Sequence, residues 1–583
     1  MSKYTDAKNT QILIALLKAH NINQIVVNPG TTNIAFVGSV QNDPFFKVFS
    51  GVDERHSAYL ACGLALESQK PVILSCTGAT ASRNYFPALT EAYYRKLPIL
   101  AVTSAHKFHL CGHLSPQFVD RSVQPKDTVK FSVQCPVVNN KQEARICELN
   151  INKAILELIR HGGGPVHINL ETGETSFNTA QLPKLVPIHR YNLASEKLPE
   201  ILQNAKVAIW IGSHLNFSKE LIQAIISFAE IYQAVILTDR TSGYYGKYHI
   251  NGALIASQDG IVKYKNEYAN LKPNLIVHIG EISGDYPSHR LLRNIAPVWR
   301  VNPDGEIKDT LGKLTNVFEM PEDKFFEYYV KDKQKQENLF FQKWQDVDKA
   351  VRKQIPEIPF SNPWIAGQLN GNFPKNSVLH LGILNSLRSW NYYQAQPGIE
   401  TACNVGGFGI DGIVSTIIGA SLFNKEKLYF CVVGDLAFFY DLNALGNRHI
   451  GNNLRILLVN NGCGGEFNMY NHYGSQFGKD TNLFIAAGGH FGNKSSELVK
   501  HFAQDLGFKY LTASNKEEFI KVLPEFIDEK KDKSIIFECF TNTTDESNAI
   551  KILNTIIPDN SLEGKVKKVV PVSVKNFIKK VIQ

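Results

Sequence analysis

At 583 residues the chain is too long for one hydrophobic core, and three domains is the natural division. A content of 44% hydrophobic and 20% charged residues excludes a disordered or fibrous protein. The net charge of +8, from 62 basic against 54 acidic residues, suits an anionic substrate or cofactor without calling for nucleic acid. Nothing reaches transmembrane length, and residues 1–20 are amphipathic rather than a signal block. Nine scattered cysteines form no CxxC pair, which points to reduced thiols. The expectation is a cytoplasmic protein with small-molecule partners and no membrane or nucleic-acid contact.

Residues 1–185 read as one α/β unit. The pattern predicts a helix over 9–19, then a strand over 24–27 ending in Asn28-Pro29-Gly30-Thr31-Thr32-Asn33. A second strand over 46–50 leads through Asp53-Glu54-Arg55 into a small-residue helix over 57–67. A third, over 71–75, ends in Cys76-Thr77-Gly78, and a helix through 88–94 precedes a fourth strand over 99–103. His106, His109 and His113 follow, just past that strand. Alternation at this spacing implies a parallel, doubly wound sheet. Residues 186–355 repeat the rhythm more loosely, with strands over 207–210, 234–238 and 275–279 and a charged helical connector over 322–353. A third unit, 356–555, opens with a strand over 378–381. The tail, 556–583, carries Lys565, Lys567, Lys568, Lys575, Lys579 and Lys580 and reads as a short amphipathic helix.

Chemistry concentrates in 432–465. An apolar run over 428–433 ends in Gly434-Asp435, helix-like residues follow over 438–445, and a second run over 456–459 ends in Asn460-Asn461-Gly462. Two strand ends thus deliver a carboxylate and a side-chain amide, oxygen ligands suited to Mg²⁺ or Ca²⁺ shared with substrate phosphates. Either half alone is an ordinary strand turn; the combination is specific.

That combination resembles the GD…NN diphosphate motif of thiamin-diphosphate (ThDP) enzymes. The whole chain is similar to the three-domain ThDP decarboxylase and carboligase superfamily, and within it to the 2-succinyl-5-enolpyruvyl-6-hydroxy-3-cyclohexene-1-carboxylate (SEPHCHC) synthases, or MenD enzymes. The likeness rests on Val52-Asp53-Glu54-Arg55, Asn84-Tyr85-Phe86-Pro87-Ala88-Leu89, Asn385-Ser386-Leu387, Gly409-Ile410-Asp411-Gly412 and Gly434-Asp435-Leu436. It implies three doubly wound parallel-sheet domains: an aminopyrimidine-binding (PYR) domain, a structural middle domain and a diphosphate-binding (PP) domain. It also implies a homodimer or homotetramer with active sites where the PYR domain of one subunit meets the PP domain of another.

By the same resemblance Glu54 shares the proton of the pyrimidine N1′, and an apolar cleft would hold its carboxyl above the usual range. Ile410 bends the cofactor, the Gly409 carbonyl accepts from its 4′-amino group, and Asp435, Asn461 and the Cys463 carbonyl bind Mg²⁺. Thr77, Gly78, Asn385, Ser386, Gly434 and Leu436 are further cofactor contacts. His113 and Gln117 are candidate catalytic groups beside Glu54. Substrate contacts fall to Thr31, Thr32, Asn84, His289, Arg290, Arg388, Glu466 and Phe467.

The chain departs from MenD where that family places arginines. Thr31-Thr32-Asn33 and Ser104-Ala105-His106-Lys107 stand for two arginine turns, Val405 replaces an arginine before the GIDG motif, Arg388 is out of register, and Glu466 replaces an aliphatic residue. Arginine–carboxylate recognition is geometrically specific, so losing several argues against isochorismate as acceptor. The expected activity is Mg²⁺/ThDP-dependent decarboxylation of a 2-oxo acid with transfer of the acyl carbanion to an acceptor. A genuine SEPHCHC synthase, a non-ligating decarboxylase and a non-catalytic ThDP-fold protein remain the alternatives.

Overall fold

The computed structural model describes residues 3–202, 204–215, 217–261, 266–491 and 494–559; from 560 onward the basic tail lies outside the described residues. The chain divides into two compact units, Met1–Ala194 with Gly305–Val317, and Ser195–Asp304 with Phe318–Gln583.

In the first unit, β1 (Gln24–Val27), β2 (Lys47–Ser50), β3 (Val72–Thr77), β4 (Ile99–His106), β5 (Phe131–Cys135) and β6 (Val166–Thr172) form a sheet of order β2-β1-β3-β4-β6-β5. Every pairing in it is parallel. The inner strands β1, β3, β4 and β6 are buried along nearly their whole length, as parallel strands under helices must be, while the edge strand β2 is mostly exposed. The order reverses between β1 and β3, which leaves a crevice at their C-terminal ends. The helix Glu54–Ser68 packs there through Ser57, Ala58, Ala61 and Ala65, small enough for close approach, and the Asp53 carboxylate caps it by accepting from His56 N–H.

The chain continues through β7 (His189–Asn192). The second unit then takes β8 (Val207–Ile211), β9 (Val235–Thr238), β10 (His249–Asn251), β11 (Leu275–Ile279) and β12 (Val298–Val301), parallel in the order β10-β9-β8-β11-β12. After β13 (Leu314–Glu319) comes the last sheet: β14 (Val378–Leu381), β15 (Glu400–Cys403), β16 (Tyr429–Gly434), β17 (Leu454–Asn460), β18 (Lys509–Ala513) and β19 (Ile535–Phe540). Its order, β15-β14-β16-β17-β19-β18, repeats the topology of the first sheet strand for strand, again all parallel.

The α/β class with parallel sheets is as expected; several elements differ in extent. β4 runs on to His106, so this histidine belongs to the strand rather than the loop beyond it. A helix over Ala79–Asn84 escaped the pattern because Ala-Thr-Ala-Ser-Arg-Asn has no apolar period. The connector predicted over 322–353 is two helices, Glu322–Val330 and Leu339–Lys353, since the Lys/Asp/Gln-rich stretch between has nothing to bury; Asn338 caps the second. The helix after Gly434 starts at Asp435, with no intervening turn. Among the described residues no helix is long and apolar enough to cross a membrane.

Candidate active site

The strand ends of the last sheet enclose a cavity of about 180 Å³. It is reached from the residues after β14 (Gly382, Leu384, Asn385, Ser386), after β16 (Gly434, Asp435, Leu436) and after β17 (Asn461, Cys463, Gly465, Glu466, Phe467), with Ile410 and Glu546 completing the wall. Asp435 is 5% exposed, and burial pushes its carboxyl up to about 7 against the backbone N–H groups of Leu436 and Gly462, while Glu538 adds to the rise. A buried carboxylate this short of compensation suits a cation. The amide oxygen of Asn461, which accepts from Cys463 N–H at 3.4 Å, comes from the neighbouring strand. Among the described residues no three His, Cys, Asp or Glu side chains gather into a metal cage. The donor set is therefore one carboxylate, one amide and backbone carbonyls, which fits Mg²⁺ completed by phosphate oxygens.

Three features of this cavity had no signal in the sequence. Glu546 is 1% exposed; its oxygens accept from Asn362 N–H at 3.0 and 3.1 Å and from Thr541 Oγ1 at 2.8 Å, and burial pushes it up to about 7. It sits four residues into a helix and reads locally as a solvated first-turn acid. Leu384 (φ +65°) and Phe408 (φ +56°) hold left-handed backbone, costly for side chains of this bulk, immediately before Asn385 and Gly409-Ile410. Finally, Arg388 does not face the cavity as a free cation. It forms a two-pronged pair with Glu466, Nη1–Oε2 at 2.7 Å and Nη2–Oε1 at 2.8 Å, and its Nη1 also donates to Asn385 Oδ1 at 3.0 Å.

The first unit carries its own cavity, about 230 Å³, at the β1/β3 reversal. Gly30, Thr31, Thr32, Thr77, Gly78, Ala79, Ala105, His106, Gln117 and Phe118 line it. Gly30 is required: at φ +148° a Cβ would meet Thr77 Cγ2 at 1.9 Å. His106 donates through Nδ1 to the Thr172 carbonyl at 2.7 Å. Thr32 Oγ1 donates to the Ser104 carbonyl at 2.6 Å.

Of the predicted residues, Thr31, Thr32, Thr77, Gly78 and Gln117 thus share the first cavity, and Asn385, Ser386, Ile410, Gly434, Asp435, Leu436, Asn461, Cys463, Glu466 and Phe467 share the second. Glu54 lies outside both walls. It is the first residue of its helix, half-buried, and near enough to β3 to add to the rise that burial imposes on the pKa of Cys76 and Tyr85. Tyr85 Oη donates to Asn28 Oδ1, and Asn28 Nδ2 donates to the Gly51 carbonyl and Ser57 Oγ, which ties the β1 end to this helix start. His113 and Asn84 are exposed and line neither cavity; His106 takes the place on the wall that the loop histidine was expected to hold. Gly409 adjoins Ile410 without lining the cavity, and His289 and Arg290 sit on the helix Tyr286–Leu292.

Comparison with known proteins finds relatives along most of the chain. The thiamine pyrophosphate enzyme N-terminal TPP binding domain matches residues 8–124. The SEPHCHC synthase of Bacteroides fragilis is 31% identical over 572 residues, covering 94% of this chain and 98% of the relative. That of Bacteroides thetaiotaomicron is 31% identical over 566 residues with the same coverage. That of Flavobacterium psychrophilum is 28% identical over 564 residues, 93% of this chain and 97% of the relative. The chain belongs to the thiamin-diphosphate-dependent enzymes, in the MenD-like family of SEPHCHC synthases.

Proposed function

We propose that this enzyme uses Mg²⁺ and ThDP to decarboxylate a 2-oxo acid and to join the remaining acyl unit to an acceptor other than isochorismate. The observation that carries the change of substrate is the Arg388–Glu466 pair. A guanidinium paired through Nη1 and Nη2 with an internal carboxylate has its charge largely cancelled and its end-on fork taken, which weakens its hold on a substrate carboxylate.

In this reading the Asp435 carboxylate, the Asn461 amide oxygen and the Cys463 carbonyl hold the metal. Asn385, Ser386 and the Leu436 N–H would receive the diphosphate, and the cavity side of Ile410 would support the cofactor. When bound, ThDP supplies the electron sink for the bond that breaks as CO₂ leaves. Glu54, from a second copy of the chain, holds a proton at the pyrimidine N1′, and the Gly409 carbonyl accepts from the 4′-amino group. Gln117 and His106, on the wall of the first cavity, would stand nearest the reacting carbon, with His113 as the other candidate; Thr31, Thr32, Asn84, His289, Arg290 and Phe467 would shape the substrate space. We take the three sheets as the PYR, middle and PP domains of a cytoplasmic dimer or tetramer. The exposed side chains of Tyr473, Phe477 and Phe484 in the last unit supply an apolar face for such an assembly.

The test is CO₂ release across a panel of 2-oxo acids, followed by product mass with isochorismate present. Release from at least one acid without SEPHCHC is expected. SEPHCHC as a clean product would instead establish the second reading, a genuine synthase with rewired anion contacts, which the end-to-end match to the Bacteroides relatives favours.

A further inference from the structure

Strand β19, Ile535-Ile536-Phe537-Glu538-Cys539-Phe540, carries one acid in an otherwise apolar run. Glu538 is 1% exposed, with β17 paired on one side of its strand and β18 on the other. A buried carboxyl group is costly unless donors meet its oxygens. Here two donors meet them. Asn460 Nδ2 donates to Oε1 at 2.7 Å, and Tyr510 Oη donates to Oε2 at 2.8 Å. The register accounts for both contacts. Glu538 lies opposite Leu458 of β17 and Thr512 of β18, and residues two apart along a strand share a face, so Asn460 and Tyr510 stand on its own side of the sheet.

Asn460 passes this orientation on to the turn beyond its strand. Its Oδ1 accepts from Gly462 N–H at 3.1 Å, across the turn that holds Asn461 and leads to Cys463. The same N–H is directed at the Asp435 carboxylate, and Gly462 holds left-handed backbone at φ +78°. The Asn460 carbonyl in turn accepts from Thr541 N–H at 2.9 Å, just past the end of β19. A side-chain amide donates from one end and accepts at the other. Reversing it would set Asn460 Oδ1 against the Glu538 carboxylate and Nδ2 against the Gly462 N–H. An acceptor at position 538 therefore decides that Oδ1, and not Nδ2, meets the turn. Tyr510 completes the carboxylate on the far side without touching Asn460.

We propose that Glu538 is a positioning residue for the metal site: acting through Asn460, it fixes the Gly462 turn in the form that presents the Asn461 amide and the Cys463 carbonyl beside Asp435. The inference rests on the reading in which those three residues hold Mg²⁺. What Glu538 supplies is an acceptor at a fixed place, not its charge. Glutamine can do the same, with Oε1 accepting from Asn460 and Nε2 donating to a Tyr510 hydroxyl whose proton turns away. Leucine, of similar bulk, cannot. Partners of this kind orient the groups that touch a metal and are felt in its affinity.

Calorimetric titration of Mg²⁺ into the full-length protein with ThDP in excess tests this, with thermal melts of the cofactor-free protein alongside. E538L and N460A are each expected to weaken Mg²⁺ binding by about tenfold or more, and E538Q and Y510F by less than about threefold. In the N460A background E538L should add less than about a twofold change, because the path it acts through is already gone. A purely structural role would lower the melting temperature of E538L in both backgrounds and leave Mg²⁺ affinity at the wild-type value. Wild-type affinity in E538L or N460A overturns the proposal, as does a loss in E538Q as large as in E538L, or a full E538L effect on top of N460A. Should E538L fail to fold, N460A and E538Q decide the matter. D435A, titrated in parallel, separates the two readings. A loss in D435A with none in E538L or N460A removes Glu538 from the site and keeps the metal there; wild-type affinity in D435A, or no saturable uptake by wild type, removes the metal assignment and this inference together.

Discussion

Two sheets of this chain share one strand order and place a cavity at the same reversal, yet the chemistry at the two reversals is opposite. Beneath the first lies Arg121, buried and without a counter-ion among the described residues. Around the second stand Asp435, Glu546 and, one strand over, Glu538, all buried, while the nearby cation Arg388 is neutralised by Glu466. One crevice is left short of negative charge and the other short of positive charge. The lesson is that topology sets where a site forms, and uncompensated buried charge sets what it takes.

The strongest way to break this contrast is Asp435→Ala. Calorimetry with ThDP and Mg²⁺ should show affinity reduced by at least about 100-fold, beyond what an outer-shell change produces. A loss under tenfold would move the metal elsewhere. Next is pH. Folded Asp435 and Glu546 both lie near 7, above their unfolded values, so their stabilising protonation is fully present below about 4 and is lost as pH rises through about 7. Relative to wild type, E546Q should therefore gain stability between pH 5 and 7.5, by up to about 1.4 kcal/mol per pH unit. Denaturant melts at both pH values check the sign. A flat difference would mean that Glu546 is not a buried titrating acid.

Removing one partner of the Arg388–Glu466 pair comes third. E466L should cost about 2 kcal/mol by leaving a partly buried guanidinium alone, and R388M/E466L should recover most of that loss. Additive single effects would show that the two charges are not coupled. The smallest expected effect is Asn542→Ala, which removes the cap of the helix that carries Glu546, where Asn542 Oδ1 accepts from Asp545 N–H at 2.9 Å. About 1 kcal/mol is expected, read from the same melts; a far larger loss would mean that the cap also anchors the cavity wall.

Much of this was legible before any coordinates. The apolar runs that become β1, β16 and β17 are continuous and end at Asn28, Gly434-Asp435 and Asn460-Asn461, because a strand covered on both faces must be largely apolar and must stop where its backbone turns. Asp435 and Asn461 stood at those ends, and the cavity does gather them. The pattern gives no strand for β5, β18 or β19, since short runs such as Phe-Ser-Val-Gln-Cys do not announce a strand by pattern alone. Glu466 was marked as a departure without its meaning, because a pairing with Arg388 across most of the last domain has no local trace.

The sequence by itself determined the α/β class, the parallel winding and the residues at the main strand ends, since these follow from periodicity and turn chemistry within a few residues. Only the tertiary structure decided which charges are cancelled and which are left open. Arg121 and Glu546 look like solvated surface residues in the chain, and Arg388 looks like a free cation. Burial and pairing between distant segments reverse all three readings, because the energy of a charge depends on what surrounds it in space rather than in sequence.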